Sequence, residues 1–231
     1  MAPSVEGAPH HFSEHGLYDG LFLMRDEESG TFWDHMTGEA VYGPLVGTTL
    51  PVSELRQTTV RQILEEDSDA LVTLSNQAIR TNEELKLGGL IRSIRNRLNR
   101  FFSNTIERED DRRPTMDLGL GLWGAADPIY YPYETLVDGE RKAVIDDFGE
   151  RRVVVYLDPT SSPLAAFYTE AESFRWDGQV LRLDDGTFVE GGVLKSAAGE
   201  RLRGRRPLQV FTRWYGFSLT FPGVTIYGES G

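Results

Sequence analysis

The chain has 231 residues, no cysteine and a formal net charge of -12 at pH 7. Its 39% apolar and 11% aromatic residues supply a core and exclude a wholly disordered chain, while the strong acidity argues against nucleic acid or an anionic membrane surface as partner. Without cysteine there are no disulfides, zinc–thiolate or iron–sulfur centres and no cysteine nucleophile, and no run approaches the ~20 apolar residues of a membrane span.

Residues 1–16, rich in Pro, Gly and His, read as a loose start with no apolar signal-peptide core. Leu17 to Met24 reads as a strand, and the turn Glu28-Ser29-Gly30-Thr31 leads into Thr31-Phe32-Trp33, giving a hairpin over 21–34. Gly43-Pro44 and Gly47 punctuate a loop after Ala40-Val41-Tyr42. Thr59 and Gln62 have capping-box spacing for a short helix striped by Val60, Ile63 and Leu64, and Ala70 to Leu74 reads as a strand.

Residues 75–117 read as an insertion carrying an amphipathic basic helix over 85–102, with Leu87, Leu90, Ile91, Ile94, Leu98 and Phe101 at helical spacing. Beyond it the chain is strongly β. Arg152 to Leu157 is a β-branched run fit for a strand buried on both faces. Asp138-Gly139, Asp177-Gly178 and Asp185-Gly186 mark tight turns, the last two within a meander. A helix is expected over Leu208 to Phe217.

The halves echo each other. Gly30-Thr31-Phe32 matches Gly186-Thr187-Phe188 at an offset of 186 − 30 = 156, Gly47-Thr48-Thr49-Leu50 matches Gly199-Glu200-Arg201-Leu202 at 199 − 47 = 152, and Asp69-Ala70-Leu71-Val72 matches Gly223-Val224-Thr225-Ile226 at 223 − 69 = 154. Each half reads hairpin, loop, short helix, strand. The expected fold is therefore mainly β (β-rich α+β): two related β-hairpin/short-helix units, 17–74 and 118–231, packed as one domain with a helical insertion. Leu21, Leu23, Phe32, Trp33, Val153, Val155, Trp176, Phe188, Phe211 and Trp214 are its expected core.

Gly16-Leu17-Tyr18, Leu23-Met24-Arg25-Asp26, Ser29-Gly30-Thr31-Phe32-Trp33, Thr37-Gly38-Glu39-Ala40 and Gly43-Pro44-Leu45-Val46-Gly47 together form a run that resembles the DUF3179 family of uncharacterised bacterial and archaeal proteins. Tyr131-Pro132-Tyr133, Ala143-Val144-Ile145-Asp146-Asp147, Val153 to Pro159, Ala165-Ala166-Phe167 and Trp176-Asp177-Gly178 continue the likeness in order, so that it covers about 17–74 and 118–228. The resemblance implies an architecture and no established reaction. Fuller members of the family carry a Tyr-Cys-Pro-Leu-Cys-type segment upstream of the first block; this chain has none, and no role of such a cysteine pair carries over.

Asp26, Trp33, Asp34, His35, Thr37 and Glu39 form the richest polar cluster. One reading makes His35 a base, Asp34 or Glu39 its orienter or acid, and Trp33, Asp26 and Thr37 ligand contacts. The other makes Thr37-Gly38-Glu39 turn chemistry and Trp33 a core anchor. His10, His11 and His15, with His35, could ligate a metal, since imidazole is a common ligand, and His11 and His15 stand four apart as the candidate pair; but no helix pattern surrounds them, so a solvated segment is expected, with no metal and no cofactor. Gly119-Leu120-Gly121-Leu122-Trp123-Gly124 has Gly-x-Gly-x-x-Gly spacing without strand–helix context, so it reads as strand entry and not as a dinucleotide site. Ser161-Ser162-Pro163 reads as a turn. The basic run Arg201, Arg203, Arg205 and Arg206 fits a solvated turn or an anionic contact.

Two functions follow. The first is a non-catalytic ligand-binding or assembly module, with helix 85–102 as a surface for a protein partner. The alternative is an acid–base enzyme acting on a small polar substrate through Trp33, Asp34, His35 and Glu39. As written the chain reads as cytoplasmic; a clipped start would make it extracytoplasmic.

Overall fold

A computed structural model describes residues 4–5, 7–18, 21–72, 106, 109–124, 126–137 and 142–229. It divides into two compact units, Met1–Pro51 with Leu71–Glu109 and Val52–Ala70 with Asp110–Gly231. The expected helix 85–102 and the Asp138-Gly139 turn lie outside the described residues.

In the first unit β1 (Ser4–Val5) pairs with β2 (Ala8–Pro9), and β3 (Phe12–Tyr18), β4 (Leu21–Asp26), β5 (Phe32–Asp34) and β6 (Ala40–Tyr42) form an antiparallel meander in chain order. The segment expected to be loose thus contains strands. Phe12 pairs with Asp26 and Ser13 with Arg25, so β4 supplies backbone partners that local composition does not reveal. Side chains alternate across the sheet. Trp33, Met24 and Ala40 turn to one face and join Val5, Leu50, Phe12 and Leu45 in a small core.

Two of its turns are built alike. The Asp26 carboxylate accepts the N–H groups of Glu28 and Ser29, and the Asp34 carboxylate accepts those of Met36 and Thr37. Gly30 and Gly38 then take positive φ, at 73° and 74°, where a side chain would be strained. Backbone bonds from Gly30 to Asp26 and from Gly38 to Asp34 close each turn.

The second unit is layered around β10 (Arg151–Leu157), the middle strand of the sheet β11 (Leu164–Thr169), β10, β9 (Ala143–Phe148). Val153 and Val155 face Leu120, Leu122, Tyr131 and Leu136, while Val154 and Tyr156 face Leu181, Leu183, Val189 and Leu194. The continuous apolar run therefore does what its composition predicts. Each fully buried valine contributes about 1.5–3 kcal/mol. One flanking layer is β16 (Leu208–Arg213), β7 (Leu118–Trp123), β8 (Ile129–Pro132) and β17 (Thr225–Ile226), with α2 (Tyr133–Val137) following β8. The other is a second meander, β12 (Phe174–Asp177), β13 (Val180–Leu183), β14 (Phe188–Glu190) and β15 (Val193–Lys195). The glycine-rich run is strand β7: a side chain at Gly119 would meet Tyr130, and one at Gly121 would meet the Phe217 ring.

Helix α1 (Val60–Glu66) begins with the expected capping box: the Thr59 hydroxyl accepts the Gln62 N–H, and the Gln62 side chain accepts the Thr59 N–H. Its buried residue is Gln62 and not the expected Val60 and Leu64, because the Gln62 amide donates to Asp158 at 3.0 Å and to the Gly191 carbonyl at 3.1 Å. Val52–Ala70 accordingly belongs with the second unit. Ala70 to Val72 form no strand. The late helix, α3 (Trp214–Thr220), starts six residues after Leu208. Leu208 to Arg213 pair instead with β7, since a neighbouring strand satisfies their backbone. Of the expected core, Trp33, Val153, Val155 and Trp214 are buried, whereas Leu21, Leu23, Phe32, Trp176, Phe188 and Phe211 are half-buried.

Candidate functional site

The polar cluster named from the sequence spans β5 and the turn after it. Trp33 is fully buried in the first unit's core, 6.0 Å ring to ring from Phe12. Asp34 spends its Oδ1 on the N–H groups of Met36 at 2.7 Å and Thr37 at 3.0 Å, and the Thr37 hydroxyl accepts the Glu39 N–H. These are turn bonds. The exposed His35 ring places Nδ1 3.0 Å from the Phe22 carbonyl and packs its edge against the Phe22 ring. His35 is thus directed at backbone, and Glu39 is exposed. The structure does not bring Asp34, His35 and Glu39 together as an acid–base relay.

A different grouping forms one turn earlier. Asp26 is fully buried. Its Oδ1 accepts from Glu28 and Ser29, and its Oδ2 accepts the Ser29 hydroxyl at 2.6 Å and lies 2.8 Å from His10 Nδ1. Burial raises its pKa, but the bonds from Ser29, His10 and the turn amides outweigh burial and hold it at about 2. Beside it, His11 grips Glu28 twice, through its backbone N–H at 2.9 Å and Nδ1 at 2.6 Å. That pairing raises the His11 pKa and lowers that of Glu28. The sequence names His10, His11 and Asp26 separately, and only the pairing of β3 with β4 assembles them; Glu28 carries no local signal. His15 lies apart, its ring 4.8 Å from that of Phe32.

The outer face of the same meander carries rings. Arg25, Phe32 and Tyr42 stand in one cross-strand row, with His15 beside Phe32 and the Phe32 and Tyr42 rings 6.0 Å apart. Tyr42 is 71% exposed and Tyr18, also on this unit, 70%.

In the second unit the basic run has separated roles. Arg201 pairs with Glu66 at 3.1 Å. Arg206 is drawn inward, 3.9 Å from the Phe167 ring centre, and donates to the Gly192 carbonyl at 2.8 Å. Burial lowers its pKa, and Arg56 adds to the effect. Arg56 pairs with Glu66. Gly192 leaves no room for a side chain, because a Cβ there would meet Arg56 and Asp158 at 2.8 Å. This packed network fastens α1 to its sheets.

Fold and side chains together define a β-rich protein built from aspartate-anchored meanders. The chain belongs to the family described as "Protein of unknown function (DUF3179)", whose model matches residues 3–211. No curated protein and no solved structure matches it. Among the described residues no helix is long and apolar enough to cross a membrane.

Proposed function

We propose that the protein works by binding, as a non-catalytic module whose contact surface is the ring-lined face of the first meander. The observation that carries this is the row Arg25, Phe32 and Tyr42 with His15 beside it, on the face opposite the buried Trp33. Rings presented from adjacent strands offer a flat stacking surface, and Arg25 and His15 add hydrogen-bond donors at its margin. Such a surface suits a small polar ligand with one flat ring face and an anionic group. Trp33, Asp26 and Asp34 support that face from within, holding the strands and turns that present it.

Further support comes from the employment of Asp34 and His35, each engaged with backbone. We also propose that the two meander–loop–helix runs descend from one duplicated module, since α1 and α3 start 214 − 60 = 154 residues apart, within the offsets of the matched motifs. Saturation-transfer NMR with phenol-, indole- and pyranoside-class carboxylates tests the binding surface. Transfer to at least one probe is expected, and Phe32→Ala and Tyr42→Ala should each abolish it. Equal transfer to a folded Phe32→Ala, Tyr42→Ala double variant would overturn the proposal.

A further inference from the structure

We infer that His10, Asp26 and Glu28 form a binding site for a divalent transition-metal cation, with Zn²⁺ as its simplest occupant. The inference stands apart from the ring-lined face and does not need it. One ligating atom from each of the three residues lies within 4.8 Å of the other two. Zn²⁺ takes nitrogen and oxygen donors at about 2.0–2.2 Å, which sets tetrahedral donors about 3.3 Å apart. His10 Nδ1 and Asp26 Oδ2 stand 2.8 Å apart. A shift of a few tenths of an ångström lets a cation replace the proton that joins them.

The donor set is one imidazole and two carboxylates, which suits Zn²⁺ or Mn²⁺ and not a soft ion that seeks thiolates. The carboxylates are also aimed from behind, as ligating carboxylates are. Both turn amides and the Ser29 hydroxyl fix Asp26, leaving one lone pair toward His10. His11 fixes both oxygens of Glu28 without being in the three-atom group, so it serves as a positioning residue. Strand register supports the arrangement: Phe12 opposes Asp26, and the Glu27 N–H donates to the His11 carbonyl at 2.9 Å. Asp26 is the buried anchor, while the His10 side chain is 12% and that of Glu28 38% exposed, so a cation has access from solvent and keeps water in its remaining positions.

The test is calorimetric titration of the full, tag-free chain with ZnCl₂ at neutral pH, with Co²⁺ absorption as a second readout. One equivalent of Zn²⁺ should bind, and Co²⁺ should give the intense visible bands of a four-coordinate site. His10→Ala and Glu28→Gln should weaken Zn²⁺ binding more than 10-fold. His11→Ala should weaken it by about 10–100-fold, the range for lost outer support, while the Co²⁺ bands persist at saturation. His15→Ala and His35→Ala should change nothing. If the His10 variant does not fold, the ring ¹⁵N shifts of the unmodified chain decide: a Zn²⁺-induced shift at His10 supports the site. Shifts confined to His15 or His35, unchanged affinity in Glu28→Gln, or no stoichiometric binding would overturn it.

Discussion

The two meanders share a register and differ in what they place on it. Arg25 opposes Phe32 in the first, and Arg182 opposes Phe188 in the second; one residue on, Met24 opposes Trp33, and Leu181 opposes Val189. Across the next strand Phe32 meets Tyr42, whereas Phe188 meets Lys195. The second row is a solvated ionic face: Arg182 pairs with Asp177, Lys195 pairs with Glu190, and both cations approach the Phe188 ring. The first row has a tyrosine where the second has a lysine, and among the described residues no such ion pair flanks its rings. One scaffold therefore carries an ionic face and a face of rings. That contrast, more than any single side chain, is what directs the proposed binding surface to the first meander.

The inward-facing pair gives the largest expected effect. Trp33→Ala empties a fully buried site and should cost about 3–5 kcal/mol by thermal or urea unfolding. Val189→Ala at the matching position removes two methyls and should cost about 1–2 kcal/mol, at roughly 0.8 kcal/mol per buried carbon. Equal losses would mean that the two cores are not packed in the same way.

Acid should then separate the meanders by their turns. Asp185 accepts from the Thr187 N–H and hydroxyl and from the Thr169 hydroxyl. Burial raises its pKa, but these bonds more than offset it and leave the value below the usual carboxylate range. A depressed carboxylate contributes stability above its unfolded pKa of about 3.9, and that contribution is lost as pH falls through the folded value. Asp185→Asn should therefore destabilise the chain at pH 7 and narrow the stability difference between pH 7 and pH 3. An unchanged acid limb would remove Asp185 from the account.

A third copy of the anchored turn sharpens the comparison further. At 158–163 the Asp158 carboxylate accepts from Thr160 and Ser161, and the backbone closes as at Asp26 and Asp34. Ser162 occupies the glycine position with φ 72°. Ser162→Gly should stabilise the chain by up to about 1 kcal/mol, since a left-handed L-residue costs about 1–2 kcal/mol and glycine gives back roughly 0.5–1 in chain entropy. Gly30→Ser, the reverse exchange, should destabilise by a similar amount. A loss of stability in Ser162→Gly would show that the serine side chain matters more than its backbone.

Local chemistry was the legible part of this molecule. Thr59 and Gln62 announce a cap, Asp185-Gly186 announces a turn, and the run from Arg152 to Leu157 announces a strand with two dry faces, because each signal lies within a few adjacent residues. What depends on a distant partner stays hidden. The stretch from Phe12 to Gly16 looks loose until β4 pairs with it, and Leu208 to Arg213 is expected to be helical until β7 offers its edge. The candidate site follows the same rule. Asp34 and His35 stand out as neighbours in sequence, yet their bonds go to backbone. His10 and Asp26 are sixteen residues apart and meet only through strand register.

The smallest stability change carries the sharpest functional test. Tyr42→Lys gives the first row the residue type of the second at an exposed position, so folding should change by no more than about 0.5 kcal/mol. Binding should respond in the opposite proportion. The lysine removes the outer ring of the row and places a strongly hydrated ammonium where a flat ligand would stack. The reciprocal Lys195→Tyr leaves Arg182 and its Asp177 partner in place, so the second face stays ionic on one side. In saturation-transfer NMR, Tyr42→Lys should lose its signal to ring-bearing carboxylates, and Lys195→Tyr should gain little. If the two exchanges alter binding equally, exposure of an aromatic ring is sufficient by itself. The grouping of Arg25, Phe32, Tyr42 and His15 would then have no special role.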